Sequence, residues 1–139
     1  MKQVHHDLVV ASAGSGLTDI TADVLRFVAR SAIRDGLLTL FVKHTSASLL
    51  VQENADPDVG RDLECFLQKL VPHNSDVYRH RTEGPDDMPA HIRSALTLTS
   101  LGVPVRNGAL QLGVWQAIYL FEHRDEAHQR QIALHLIGD

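Results

Sequence analysis

The chain has a single cysteine, Cys65, and a single tryptophan, Trp115, and neither cations nor long apolar runs are abundant. One cysteine closes no intrachain disulfide, which fits a reducing compartment. Lys and Arg total 13 against 17 Asp and Glu, giving a formal net charge of −4. That balance argues against a general nucleic-acid or anionic-membrane binder, whose surface must be basic. A local anion site stays open, because it needs only a few donors. No stretch reaches the roughly 18 uninterrupted apolar residues of a membrane helix. The opening "MKQVHHDLVVASAG" has one early lysine, and two histidines and an aspartate interrupt its apolar part. It reads as neither signal peptide nor span, so a cytoplasmic protein is expected. No repeat, low-complexity tract or linker divides the chain, and residues 1–139 read as one domain.

Histidine, by contrast, is plentiful: nine residues, dispersed along the chain. Histidine is the commonest metal-ligating side chain and transfers protons near neutral pH. Its positions therefore matter more than its number.

The periodicity predicts an α+β domain, a mainly antiparallel sheet or sandwich flanked by about three helices. "HHDLVVAS" reads as a first strand and Leu17 to Ile20 as a short second one. Thr21 is a candidate N-cap for a helix ending near Arg34, with Val24, Phe27, Val28 and Ala32 on one face and Asp35-Gly36 as its stop. "LLTLFVKH" and "ASLLVQE" read as buried strands. Asp56-Pro57 predicts a second helix, with Leu63, Phe66, Leu67 and Leu70 as its apolar face and Pro72 as its end. Residues 73–88 form a polar, turn-rich loop, and a third helix is expected from about Pro89 to Leu98. Asn107-Gly108 signals a hairpin, and "WQAIYLFEH" and "RQIALHLIG" complete the strands.

Three histidines stand near element ends, where side chains converge on clefts: His44, His80 and His91. Three neutral imidazoles suit zinc or a similar transition ion. Their spacing matches no local metal signature, so dispersed, hydrogen-bonding histidines are the competing reading. "YRHRTEGPDDMPAHI" adds Glu83, Asp86 and Asp87, which either favour a helix N-terminus or bind a hard cation and orient an imidazole. Thr45, Ser46 and Ser48 offer hydroxyls to an anion or close a local turn. No G-x-S-x-G elbow surrounds Ser46, which excludes a typical serine hydrolase. Asn54 and Asp58 bracket the second helix start. Trp115-Gln116 opens a strand, as core or as the wall of a ring pocket. Arg124 and Arg130 flank the last turn and are either solvated or available to phosphate.

Taken together, "HTSASLLVQENADPDV", "EGPDDMPAHI", "NGALQLGVWQ" and "EHR" resemble, in that order, the YjbQ-like family of secondary thiamine-phosphate synthases. The similarity spans nearly the whole chain. It implies an antiparallel α+β fold, a homotrimer and a polar, histidine-containing cleft near a subunit interface. By that resemblance His44, Thr45 and Ser46 stand at the family's His-Thr-Ser, and Asn54 and Asp58 at its helix start. His80, Glu83, Asp87 and His91 fall in its His/Glu-Gly/Asp/His block, and Gly113, Trp115 and Gln116 in its Gly-x-Trp-Gln. Thr99 departs from the Gly-Ser or Gly-Thr common there. Gln131 follows Arg130 where the family tends to carry a second base, which predicts weaker phosphate binding.

The resemblance implies a transferase joining a pyrimidine pyrophosphate to a thiazole phosphate. Glu83 and Asp87 would hold magnesium, Ser46 and Arg130 phosphate oxygens, and Trp115 would pack on a ring. A histidine-rich site fits a zinc-like ion better. The alternatives are a metal-dependent hydrolase of a small phosphorylated or acylated metabolite, with His44, His80 and His91 as ligands and Glu83 as base, or a non-catalytic small-anion-binding module.

Overall fold

A computed structural model describes residues 1–73 and 76–139. Eight strands and three helices alternate as β1 (Lys2–Ala11), β2 (Gly16–Asp19), α1 (Thr21–Ser31), β3 (Gly36–Val42), β4 (Ala47–Glu53), α2 (Pro57–Leu70), α3 (Asp87–Leu96), β5 (Ser100–Arg106), β6 (Ala109–Leu110), β7 (Gln116–Glu122) and β8 (Gln129–Gly138). The strands make two antiparallel sheets, β1-β8-β3-β5-β6 and β2-β7-β4. The expected α+β antiparallel architecture is what is found.

Alternation along the strands decides how the sheets pack. Leu38, Leu40 and Val42 of β3 and Ile132, Leu134 and Leu136 of β8 point one way, and Leu49, Ile118 and Leu120 of the smaller sheet meet them in one buried cluster. Val24, Phe27 and Val28 of α1 enter the same cluster. Burying each such side chain contributes about 1.5–3 kcal/mol. Where β3 and β8 meet, Gly36 faces Gly138, and a Cβ on Gly36 would lie 2.2 Å from the Ile137 carbonyl oxygen. The Asn107-Gly108 turn has both residues at positive φ, 54° and 75°, as the primed hairpin turn requires.

Local readings hold or fail for identifiable reasons. Asp56 caps α2 by accepting from the Asp58 backbone N–H at 2.9 Å, with Pro57 in the first turn. Thr21 does not cap α1. Its hydroxyl accepts from the Ile118 N–H at 2.9 Å, tying the helix to β7, while Asp19 takes the Thr21 N–H. α1 also stops earlier than expected, at Ser31, because Ala32 turns into the left-handed region at φ 57°. α3 begins and ends two residues before the expected bounds, so that Asp87 lies in its first turn. The apolar face of α2 is not a core face: none of its residues is buried, and Phe66 and Leu70 are 62% and 55% exposed. Two residues of the polar segment 73–88, Asn74 and Ser75, lie outside the described residues. Among the described residues no helix is long and apolar enough to cross a membrane.

Candidate metal centre

α3 opens after a tight turn. Gly84, at φ 102°, reverses the chain just after Glu83. Asp87 then sits in the first helical turn and His91 one turn later on the same side, at i and i+4. The preceding segment carries His80 back against them. The result is a cluster of His80, Glu83, Asp87 and His91 whose potential ligand atoms all lie within 4.8 Å of one another.

Asp87 is its centre. Its side chain is 3% exposed, and Oδ2 lies 2.7 Å from His80 Nε2 and 3.0 Å from His91 Nε2. Glu83 Oε2 stands 3.5 Å from His80 Nε2 and is largely exposed. The hydrogen bond to Asp87 raises the pKa of His80 above its ordinary value. Burial opposes ionisation of Asp87, yet hydrogen bonding to His80 and the charges of His91 and Arg124 outweigh it and hold its pKa below the usual value.

Arg124 builds the support. Its Nη1 pairs with Asp87 Oδ1 at 2.9 Å, Nε donates to Asp86 Oδ2 at 2.9 Å, and Nη2 donates to the Glu83 carbonyl at 2.9 Å. One guanidinium thereby fixes three consecutive parts of the turn and leaves Asp87 Oδ2 for the two imidazoles. The hydrogen bond with Asp86 raises the arginine's pKa, and the pair lowers that of Asp86 against the effect of burial. The sequence offered Arg124 either as a solvated side chain or as a phosphate ligand. The signal for its positioning role was the pair of adjacent aspartates, which need a cation.

The donor set fits a divalent ion. His91 Nδ1 lies 3.0 Å from the Thr45 carbonyl, which can only accept, so the neutral ring carries its proton on Nδ1. Its Nε2 lone pair then faces a carboxylate oxygen 3.0 Å away. Two lone pairs at that separation require a positive charge, either a proton or a metal ion. A ring nitrogen whose partner N–H is held by a carbonyl is the usual arrangement of a metal-ligating histidine. Ligand atoms about 2.0–2.2 Å from an ion stand roughly 3 Å apart along an edge of its coordination shell. The separations of 2.7, 3.0 and 3.5 Å around Asp87 and His80 are of that size, and all four ligand atoms lie within 4.8 Å of one another. Two nitrogens and two oxygens suit a borderline ion such as zinc better than magnesium.

Beside His80 opens a hollow of about 370 Å³ lined by Asp76, Tyr78, Arg81, Gly84, Pro85 and Met88. Its lining mixes polar and apolar side chains, as small-molecule sites do.

The remaining sequence candidates fall into two other groups. His44 is not among the converging ligands: its Nε2 accepts from the Gln131 N–H at 2.8 Å, and burial, with Arg130 nearby, lowers its pKa. The expectation of three imidazoles around one ion is thereby replaced by two imidazoles and two carboxylates. Thr45 touches the cluster through its carbonyl, not its hydroxyl. Ser46 is buried with Arg130, whose Nη2 donates to its Oγ at 3.0 Å. Arg130 is 4% exposed and bonded through Nε to Glu122 Oε1 at 2.8 Å and through Nη2 to Oε2. Its guanidinium is already occupied within the chain. Gln131, at the second basic position, is exposed.

The other group lies at the start of α2. Asn54 donates through Nδ2 to the Val114 carbonyl at 3.3 Å and through its backbone to the Trp115 carbonyl. Gln116 Oε1 accepts from the Gly113 N–H at 2.8 Å. Asn54 lines a hollow of about 470 Å³ with Asp56, Arg61, Glu64 and Tyr119. Asp58 pairs with Arg61 at 3.1 Å, and Trp115 is 61% exposed.

Fold and site together define a class: an antiparallel α+β sandwich that carries, at the head of one short helix, a mixed histidine–carboxylate cluster able to hold a metal ion. The UPF0047 protein YjbQ-like family model matches residues 6–139. This chain belongs to that family. It is 51% identical to a UPF0047 protein of Synechocystis over 99% of this chain and 94% of the relative. With the YjbQ protein of Escherichia coli O157:H7 the identity is 42%, over 95% and 96%. A YbjQ-like protein of unknown function from Sulfolobus solfataricus superposes with a TM-score of 0.91 at 26% identity, over 99% of both chains. A family member from Clostridium acetobutylicum gives 0.85 at 36%, over 96% and 99%.

Proposed function

We propose that this protein is a metal-dependent enzyme acting on a small phosphorylated metabolite at the His80–Glu83–Asp87–His91 cluster. The observation that carries the reading is the contact of His91 Nε2 with Asp87 Oδ2, 3.0 Å apart across a position that a proton or a metal ion would occupy, beside an open hollow. Among reactions open to such a site, the family resemblance favours joining a pyrimidine pyrophosphate to a thiazole phosphate. The thiazole nitrogen forms a bond to the pyrimidine methylene carbon as the carbon–oxygen bond to diphosphate breaks. A bound divalent ion would offset the leaving group's charge. Tyr78 and Met88 offer ring contacts, and Arg81 a cation, at the hollow's wall.

Glu83 favours a second reading. It is the most exposed member of the cluster and, though 3.5 Å from His80 Nε2, reaches solvent as a base on water must, which suits hydrolysis of a phosphorylated or acylated metabolite. Assays of untagged protein with each divalent ion separate the two. Product from the paired thiamine precursors supports the transferase, and turnover of single phosphoesters or acyl esters supports the hydrolase. Binding of phosphorylated compounds with turnover of none removes both and leaves a binding module.

A homotrimer accompanies this reading. It is supported by the resemblance and by exposed apolar side chains, Phe66, Leu70, Val114 and Trp115, that a second copy would cover. Sedimentation of the untagged chain checks it, with a monomer at micromolar concentration as the contrary result.

A further inference from the structure

We propose that a third hollow, walled by Gln68, Pro72, His73 and Arg93, binds a small oxyanion, a phosphate or phosphoryl group, through the Arg93 guanidinium. Arg93 is 3% exposed. Its Nη2 donates to the Val71 carbonyl at 2.7 Å, and its Nε is buried with no partner. Among the described residues no other hydrogen bond and no ion pair reaches this guanidinium. Arg124 and Arg130, by contrast, each meet a carboxylate directly. Among the described residues this arginine is held by a single carbonyl, which leaves most of its charge to be met from the hollow; a buried guanidinium is costly unless an anion there answers it.

The acids around Arg93 do not supply that anion. Asp125, Glu64 and Asp86 act on it only through longer-range charge. Asp125 instead faces His73, 3.8 Å from its Nδ1, and Asp86 is taken by Arg124. The hollow measures about 310 Å³ and is also lined by the His73 ring and by Gln68, whose Nε2 donates to Glu64 Oε1 at 3.3 Å and keeps a second N–H. A guanidinium edge with N–H groups aligned matches the oxygens of a phosphoryl group, which favours that ligand over a halide. Arg93 follows His91 by two residues, about 200° around α3, so it faces away from the metal-capable cluster. The anion site is therefore separate from the one described above and does not depend on the proposed reaction.

The test uses the full chain, treated with chelator so that no metal reports on phosphate, and titrates inorganic phosphate, with glycerol 3-phosphate as the ester arm. Either probe should shift the Arg93 Nε–H resonance and raise the melting temperature with concentration; the tighter of the two identifies the source. Arg93→Met should weaken binding by about tenfold to a hundredfold, the range for a lost charge-assisted contact. His91→Ala should leave it unchanged. If Arg93→Met does not fold, Gln68→Ala and His73→Ala replace it and should each weaken binding severalfold. A silent Arg93 resonance with both probes, undiminished binding in Arg93→Met, or loss of binding in His91→Ala would overturn the proposal.

Discussion

Two regions of this protein use the same chemical groups for opposite ends. Behind β4, Glu122 is wholly buried and bonded to Arg130 and Ser12, while His123 lies 2.8 Å from Ser48 Oγ, which also meets the Thr97 hydroxyl. At the head of α3, Asp87 is nearly as buried, but its partners His80 and His91 are partly open to solvent. In the first region the donors and acceptors named find complements within the chain. In the second, His91 Nε2 and Asp87 Oδ2 meet at 3.0 Å only through a positive charge between them, a proton or a metal ion. Residue type alone does not separate structure from chemistry here; completeness of pairing does.

The contrast can be broken from the structural side first. Glu122→Ala strands the buried Arg130 charge and should cost on the order of 3–5 kcal/mol in denaturant unfolding. A loss under about 1 kcal/mol would mean that water or another acid replaces the pair.

Next comes acid sensitivity. Burial, with Arg93 nearby, lowers the His123 pKa from 6.5 to about 4. The unfolded chain therefore binds a proton through that interval that the folded chain refuses. His123's contribution to stability is complete above about pH 6.5 and is lost as pH falls toward 4, by about 3 kcal/mol in all. In His123→Gln this part of the pH slope should vanish. An unchanged slope would place the titration elsewhere.

From the functional side, Arg124→Gln should weaken metal binding by about tenfold to a hundredfold, as loss of an orienting partner does, with partial recovery in Arg124→Lys. Unaltered affinity would reduce Arg124 to a surface tie. The smallest effect is expected at Asn54→Ala, which removes one bond to the Val114 carbonyl and should cost about 1 kcal/mol or less.

The sequence made some of this legible and hid the rest. The short apolar run of "ASLLVQE", read as a buried strand, gave β4 its bounds, and Asn107-Gly108 gave the β5–β6 turn, because both signals are local. Thr21 misled because its hydroxyl serves Ile118, 97 residues away in sequence. The site was half legible. Asp87 and His91 stand out as site candidates in one short segment, but their shared face at i, i+4 is not legible, because the sequence pattern starts the helix at Pro89, two residues after Asp87. His44 could not be separated from the ligands, since what removes it is a backbone N–H contributed by β8. Arg130 looked like an exposed phosphate ligand because nothing in "HQRQ" announces the buried carboxylate eight residues earlier. α2 shows the reverse: its amphipathic pattern is genuine, yet the chain alone leaves that face uncovered.

Metal content is the direct test of the cluster. Untagged protein, dialysed and then titrated with zinc, should bind one ion per chain, and both His91→Ala and Asp87→Asn should lose it while remaining folded. Failure of the wild-type chain to retain any divalent ion, or equal retention by the two variants, would contradict the account.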